Sequence, residues 1–238
     1  MPRISNYKIA IGLPVTWSMV STPFFLTFLV MEKPECILLY QTNGQLDDLR
    51  NGIVRDAQAN ACTHLAMMDT DQVYPLDTIT KLLRHNLPVV GALVHRRYPP
   101  FDALMFRGKI NSFARVEEWD KDSLVKVDAT GTGCLLIRMD VFDKIKEPWF
   151  KFMPNPDSNV GGIVGEDFYF CNKVREADIP IYVDTSVEVA HLSTNLAVTG
   201  ETRKLYSYMK KIKEEEESKD AMMNQVHETD KREEIRRH

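Results

Sequence analysis

The sequence predicts an α/β domain whose central sheet is mostly parallel and flanked by helices. Three observations carry that expectation. Four short apolar runs, at residues 8–14, 36–40, 64–69 and 88–93, have strand length and alternate with helix-period segments. Such alternation implies right-handed β-α-β crossovers. The third run ends abruptly in Asp69-Thr70-Asp71, at the strand edge where open α/β sheets bind ligands. Beyond Val94 the periodicity dissolves into turn-rich sequence with short alternating pieces, which predicts a small half of loops and mixed strands.

The elements follow in order. Lys8 to Pro14 reads as a buried strand closed by a proline. Ser21 or Thr22 caps a helix with Pro23 in its first turn. The apolar block Phe24 to Met31 is shorter than the roughly 20 residues a bilayer span needs, and no small-residue cleavage site follows it. It reads as a core helix, with no transmembrane segment. Cys36 to Tyr40 is the second strand, ended by Asn43-Gly44. Leu46 to Asn60 is a helix with Leu46, Leu49, Ile53 and Ala57 on one stripe. Arg50 falls inside that stripe, so it either snorkels to the helix edge or pairs with the acidic motif or a ligand phosphate.

His64 to Asp69, a helix over Leu76 to His85 and a strand over Pro88 to Leu93 complete the first half. His95-Arg96-Arg97-Tyr98 follows; its arginines read first as solvated loop charges, with phosphate contact as the second reading. Gly131 to Arg138 reads as a glycine-hinged strand, where Gly131 and Gly133 permit close approach of a ligand or a tight bend. Met139 to Lys146 is a short helix, followed by the aromatic cluster Trp149, Phe150 and Phe152 and a small-residue loop from Met153 to Gly165. Glu166-Asp167 opens a helix running to Ala177. The acidic pair suits a helix dipole, and equally a general base at a cleft mouth. Ile179 to Val183 is a strand, and Val187, Val189 and His191 share one face of a further strand-like segment. From Glu201 the chain becomes highly charged, with Leu205, Tyr206, Tyr208 and Met209 as anchors for a helical or partly disordered tail.

Composition narrows the partners. The 238 residues are 44% hydrophobic and carry a net charge of −4, which argues against stable nucleic-acid binding. Four scattered cysteines with no C-x-x-C pair suit reduced, buried thiols of a cytoplasmic protein. Asp69 and Asp71 are two residues apart, so in an extended chain both face one small volume. Two close carboxylates repel, and a divalent cation relieves that repulsion. Alone, the tripeptide is a weak pattern and reads first as an acidic turn that caps a helix.

Taken in order, the strand ending at Pro14, Arg50-Asn51, Asp69-Thr70-Asp71, Gly131-Thr132-Gly133-Cys134, Pro148-Trp149-Phe150, Gly165-Glu166-Asp167 and His191 resemble a small GT-A-fold glycosyltransferase, similar to the family-two-like enzymes of bacteria and phages. The likeness spans roughly residues 7 to 195. It implies a Rossmann-like GT-A domain over residues 1–200, with a nucleotide-binding half over 1–94 and an acceptor half over 95–200. Residues 201–238 form a tail through which an oligomer can assemble. It further implies that Pro14, Val15 and Thr16 line a nucleotide base. Arg50 would support the diphosphate and the acidic motif, and Asp69 and Thr70 would lie beside the nucleotide sugar. Asp71 and His191, with Asp69 beside them, would hold Mn²⁺ or Mg²⁺. Asp167, or else Glu166, would be the catalytic base, and Trp149 would border a glycan or other hydroxyl-bearing acceptor. Two other classes compete. A nucleotidyltransferase making sugar nucleotides usually has a Gly- and Lys/Arg-rich loop after its first strand, and Pro14-Val15-Thr16-Trp17-Ser18 lacks one. A non-catalytic carbohydrate- or nucleotide-binding module has no need of both Asp71 and Glu166-Asp167.

Overall fold

In sequence order the chain forms β1 (Ile9–Val15), α1 (Thr22–Val30), β2 (Cys36–Thr42), α2 (Leu46–Ala59), β3 (His64–Met68), β4 (Gln72–Val73), α3 (Thr78–Arg84) and β5 (Val89–Val94). The second half adds β6 (Met105–Arg107), β7 (Ala114–Arg115), β8 (Leu124–Val127), β9 (Ala129–Thr130), β10 (Cys134–Arg138) and α4 (Asp140–Lys144). It closes with β11 (Met153–Pro154), β12 (Ile163–Val164), α5 (Glu166–Glu176), β13 (Ile181–Ser193) and β14 (Leu196–Val198). A last helix, α6, covers residues 200–215. This computed structural model describes residues 7–110, 112–156, 162–193, 196–215 and 217. The sequence expectations for the centre of the 153–165 loop and the end of the tail lie outside the described residues.

The main sheet runs β14-β13-β5-β10-β3-β1-β2, with β4 and β8 also paired to β13. β1 lies parallel to β2 and β3, and β5 parallel to β13. β10 enters from the second half between β3 and β5, antiparallel to both. So β2, β1, β3, β5 and β13 share one direction and end at one edge. The result is a Rossmann-like α/β sheet carrying reversed strands. The apolar runs predicted its strands; the interleaving of β10 rests on long-range pairing that no local pattern encodes.

Both faces of the sheet are covered, and β3 shows why its run is continuously apolar. Leu65 and Met67 face a core with Ile53, Leu135, Phe150 and Phe170. Ala66 and Met68 face the other, with Ile11, Phe24, Ile79 and Leu136. Each fully buried side chain of this size contributes about 1.5–3 kcal/mol. On α2, Leu49, Ile53 and Ala57 are buried at helical spacing as the stripe predicts, and Arg50 is buried with them.

Several expectations need correction. α1 is capped by the Ser21 side chain, but it is not wholly a core helix. Phe24 and Met31 are buried, whereas Phe25, Leu26, Leu29 and Val30 are exposed, because the helix rests on the sheet by one side only. Trp149 does not border an open acceptor site. It is buried against Phe142, and its indole N–H lies 3.1 Å from the Ile145 carbonyl. The two strand pieces around residues 179–191 are one strand, β13, whose register shifts between Asp184 and Glu188. α3 begins at Thr78 rather than Leu76, because the Thr78 hydroxyl and backbone N–H turn back to the Pro75 carbonyl. Gly131 and Gly133 precede β10 rather than belonging to it. All four cysteines are free, and Cys62, Cys134 and Cys171 are buried. Among the described residues no helix is long and apolar enough to cross a membrane.

Candidate active site

The acidic motif leaves β3 and turns at once into β4, whose two residues pair with β13: Val73 opposite Ala190 and Gln72 opposite His191. The Leu192 N–H donates to the Asp71 carbonyl at 2.8 Å. This short ladder carries His191 to Asp71 from far along the chain. Their closest side-chain atoms, His191 Nε2 and Asp71 Oδ2, are 3.6 Å apart. The site thus lies at the edge where the co-directional strands end, as the position of the motif predicts.

A cavity of about 270 Å³ opens here, lined by Pro14, Thr16, Trp17, Leu46, Asp69, Thr70, Asp71, Arg97 and His191. Val15 is the last residue of β1 and does not line it. His191 Nδ1 lies 2.9 Å from the His95 carbonyl oxygen. A carbonyl only accepts, so Nδ1 carries a proton. In that neutral tautomer Nε2 accepts from Arg97 Nη2 at 3.2 Å, and with Arg97 displaced its lone pair would be open to an electrophile, the arrangement metal-ligating histidines share. Burial opposes the charge of Asp71, but His191, where its ring is protonated, and the charge of Arg97 outweigh it and hold the carboxyl below its usual range.

Arg50 is placed behind the cavity rather than in it. Only 2% exposed, it donates from Nη2 to Asp69 Oδ1 at 2.9 Å and from Nε to Glu166 Oε1 at 3.2 Å. Burial works against its charge, but the carboxylates of Asp69, Glu166 and Asp167 more than compensate, and its pKa is raised. Arg50 therefore orients the two carboxylates, and a direct contact with a diphosphate is closed to it. Glu166 is buried and committed to this pair. Asp167 is half-buried, and its Oδ1 accepts the Phe168 N–H at 2.7 Å. Burial, then the neighbouring Glu166, pushes its carboxyl up to about 7. Gly165 and Phe168, on either side of the acidic pair, line a second cavity of about 230 Å³ with Ile110, Phe113, Asn155, Ile163 and Val164.

Glycine is required twice here. A Cβ at Gly133 would overlap the Gln72 amide and come within 2.7 Å of Asp69 Oδ2. One at Gly165 would come within 2.7 Å of Asp167 Oδ1. The close approach expected at Gly133 is therefore made by the protein's own acidic motif.

The residues fit a divalent cation. Asp71 Oδ1 is buried with no hydrogen-bond partner, and Asp71 and His191 aim an oxygen and a nitrogen at one place. Asp69 has one oxygen taken by Arg50. Among the described residues no group of three or more His, Cys, Asp or Glu side chains is clustered to hold a metal, so the remaining ligands would come from water or a bound substrate.

Two residues of the site, Tyr74 and Gln72, lie outside the sequence expectations. Tyr74 is buried, with its hydroxyl 2.7 Å from the Asp69 carbonyl and 2.8 Å from that of Gly133. Its aromatic character near an acidic turn gave no signal. Gln72 is buried beside Gly133. Arg97, which the sequence leaves as a solvated loop charge or a phosphate contact, donates to Asp71 Oδ2 and lies 3.2 Å from His191 Nε2. Its signal was its place just past the end of β5, on the ligand-binding edge.

Fold and site together define an α/β domain with an acidic, histidine-containing cleft at the carboxyl ends of its strands. No family model and no curated sequence matches the chain. The crystal structure of A197 from STIV is similar in fold, with a TM-score of 0.56 and 18% sequence identity over 82% of this chain and 91% of that one.

Proposed function

We propose that the protein is a metal-dependent GT-A glycosyltransferase. It moves a sugar from a nucleotide-diphosphate donor, a UDP-sugar first among candidates, to the hydroxyl of a glycan or another acceptor. The observation that carries this reading is the meeting of Asp71 and His191 at the ligand-binding edge, 3.6 Å apart and ready to share a cation. Mn²⁺ or Mg²⁺ held there supplies Lewis-acid stabilisation of the charge that develops on the departing diphosphate, and an imidazole ligand favours Mn²⁺.

The chain's own groups do the rest. Pro14 and Thr16 line the nucleotide end of the cavity, with Trp17 offering an aromatic face for the base. Asp69, fixed by Arg50, accepts from a ribose or sugar hydroxyl. Asp167 takes the proton of the acceptor hydroxyl as it attacks. A carboxyl near pH 7 is half ionised under working conditions, and it can take up that proton and release it again.

A panel of nucleotide sugars incubated with Mn²⁺, read by release of free nucleotide, tests the assignment. One donor is expected to be hydrolysed, and Asp71→Ala to abolish the release. No release from any donor, or unchanged release by Asp71→Ala, overturns it.

A further inference from the structure

Arg97 stands where a cation bound by Asp71 and His191 would have to be. Its Nη2 touches Asp71 Oδ2 and lies 3.2 Å from His191 Nε2, so one guanidinium nitrogen engages both candidate ligands. Arg50 is committed to Asp69 and Glu166, which leaves Arg97 as the cation in contact with Asp71. The Arg97 side chain is 36% exposed and borders the same cavity, so it has room to leave. Its base lies on the loop beyond β5, where the Arg96 N–H donates to the Asp102 carbonyl and holds the backbone while the side chain is free to turn.

A divalent ion bonded to both Asp71 and His191 excludes Arg97 Nη2 from the same place, since two cations cannot share one pair of donors. We propose that Arg97 is a built-in, displaceable cation. It closes the Asp71–His191 pair while no metal is bound. When a divalent ion enters, it swings into the cavity and presents its planar donor fork to the phosphate oxygens of the ligand. Metal and anionic ligand thereby become coupled. The metal releases Arg97, the anion captures it, and each tightens binding of the other by the same factor. This inference rests on the reading of Asp71 and His191 as the metal pair.

Mn²⁺ binding to the full-length protein without nucleotide, followed by electron paramagnetic resonance, separates the two ideas. Arg97→Ala is expected to tighten Mn²⁺ binding by about tenfold, because the ion no longer competes with a tethered cation. Nitrogen modulation from a bound imidazole should appear in its spin echo and vanish in the Arg97→Ala/His191→Ala double variant. Arg96→Ala removes the same charge one residue away and should change the affinity by less than about twofold, through the screened long-range field alone. Unchanged or weaker Mn²⁺ binding by Arg97→Ala, or an equal gain from Arg96→Ala, overturns displacement. The metal reading survives that result if Asp71→Ala abolishes binding and His191→Ala weakens it. Absence of Mn²⁺ binding in every variant overturns both.

Discussion

Gly133 leaves the space that the Gln72 amide and the Asp69 carboxylate share: a Cβ there would overlap Gln72 Nε2 and lie 2.7 Å from Asp69 Oδ2. The other oxygen of that carboxylate is held by buried Arg50, so Asp69 has little freedom to withdraw. Gly133→Ala is expected to destabilise the protein by about 1–3 kcal/mol, the usual cost of forcing an extra methyl into a packed site. Urea denaturation measures it, and nucleotide release should fall in parallel. A variant with wild-type stability and rate would show that Asp69 is not pinned.

Arg50 joins Asp69 to Glu166 without access to solvent. Arg50→Met leaves two carboxylates facing each other and should cost about 3–5 kcal/mol, as removal of one partner from a buried ion pair does. Adding Glu166→Gln removes one of the stranded charges and should recover part of the loss. Equilibrium denaturation of the single and double variants checks both. Equal stability of the two would mean that Glu166 is protonated or solvated once Arg50 is gone.

Asp167 gives a pH signature. Its folded-state carboxyl titrates near 7, raised from 3.8 by burial and by Glu166. The folded protein therefore holds a proton that the unfolded chain has released. The stabilisation from neutral Asp167 is complete below about pH 4 and is lost as pH rises towards and through 7. Asp167→Asn should thus be more stable than the wild type at pH 8 and nearly equal to it at pH 4. Sugar transfer by the wild type should rise with an apparent pKa near 7 and be lost in the variant. Chemical denaturation at the two pH values and a pH–rate profile provide the readouts, and a flat stability difference would remove Asp167 as a perturbed group.

Tyr74 shares its one hydroxyl proton between the carbonyl oxygens of Asp69 and Gly133. Tyr74→Phe keeps the ring and deletes that link, so a loss of about 1–2 kcal/mol is expected, with KM for the donor rising more than kcat falls. Steady-state kinetics alongside a thermal melt distinguish this from a purely structural effect, which would leave KM alone.

Legibility in the sequence followed the range of the interaction. The strands before Val94, the stripe on α2 and the cap of α1 are local patterns and appear at or near the expected residues. Arg50 was visible as a charge inside an apolar stripe. Its link to Glu166 was not, because that depends on how α5 packs against α2. Asp71 and His191 could each be singled out, the first by its place after a strand and the second by sharing a face with Val187 and Val189. Their meeting depends on the pairing of β4 with β13. Arg97 was weighed as a solvated charge, because loop geometry has no period to read. The exposed face of α1 was misread for a similar reason, since an apolar helix does not say how many of its sides find a neighbour.

The β4–β13 ladder also sets a timetable. During synthesis the acidic motif is complete long before its histidine exists; at ribosomal speeds the intervening stretch takes on the order of ten seconds to make. Closing so long a loop is entropically costly, so the ladder forms late. Until then β5 lacks β13 beside it, and the nascent chain presents Asp69 and Asp71 with no imidazole opposite. The protein thus acquires its cleft only once β13 has been made, and a fragment released before then carries the acidic motif without the histidine that faces it.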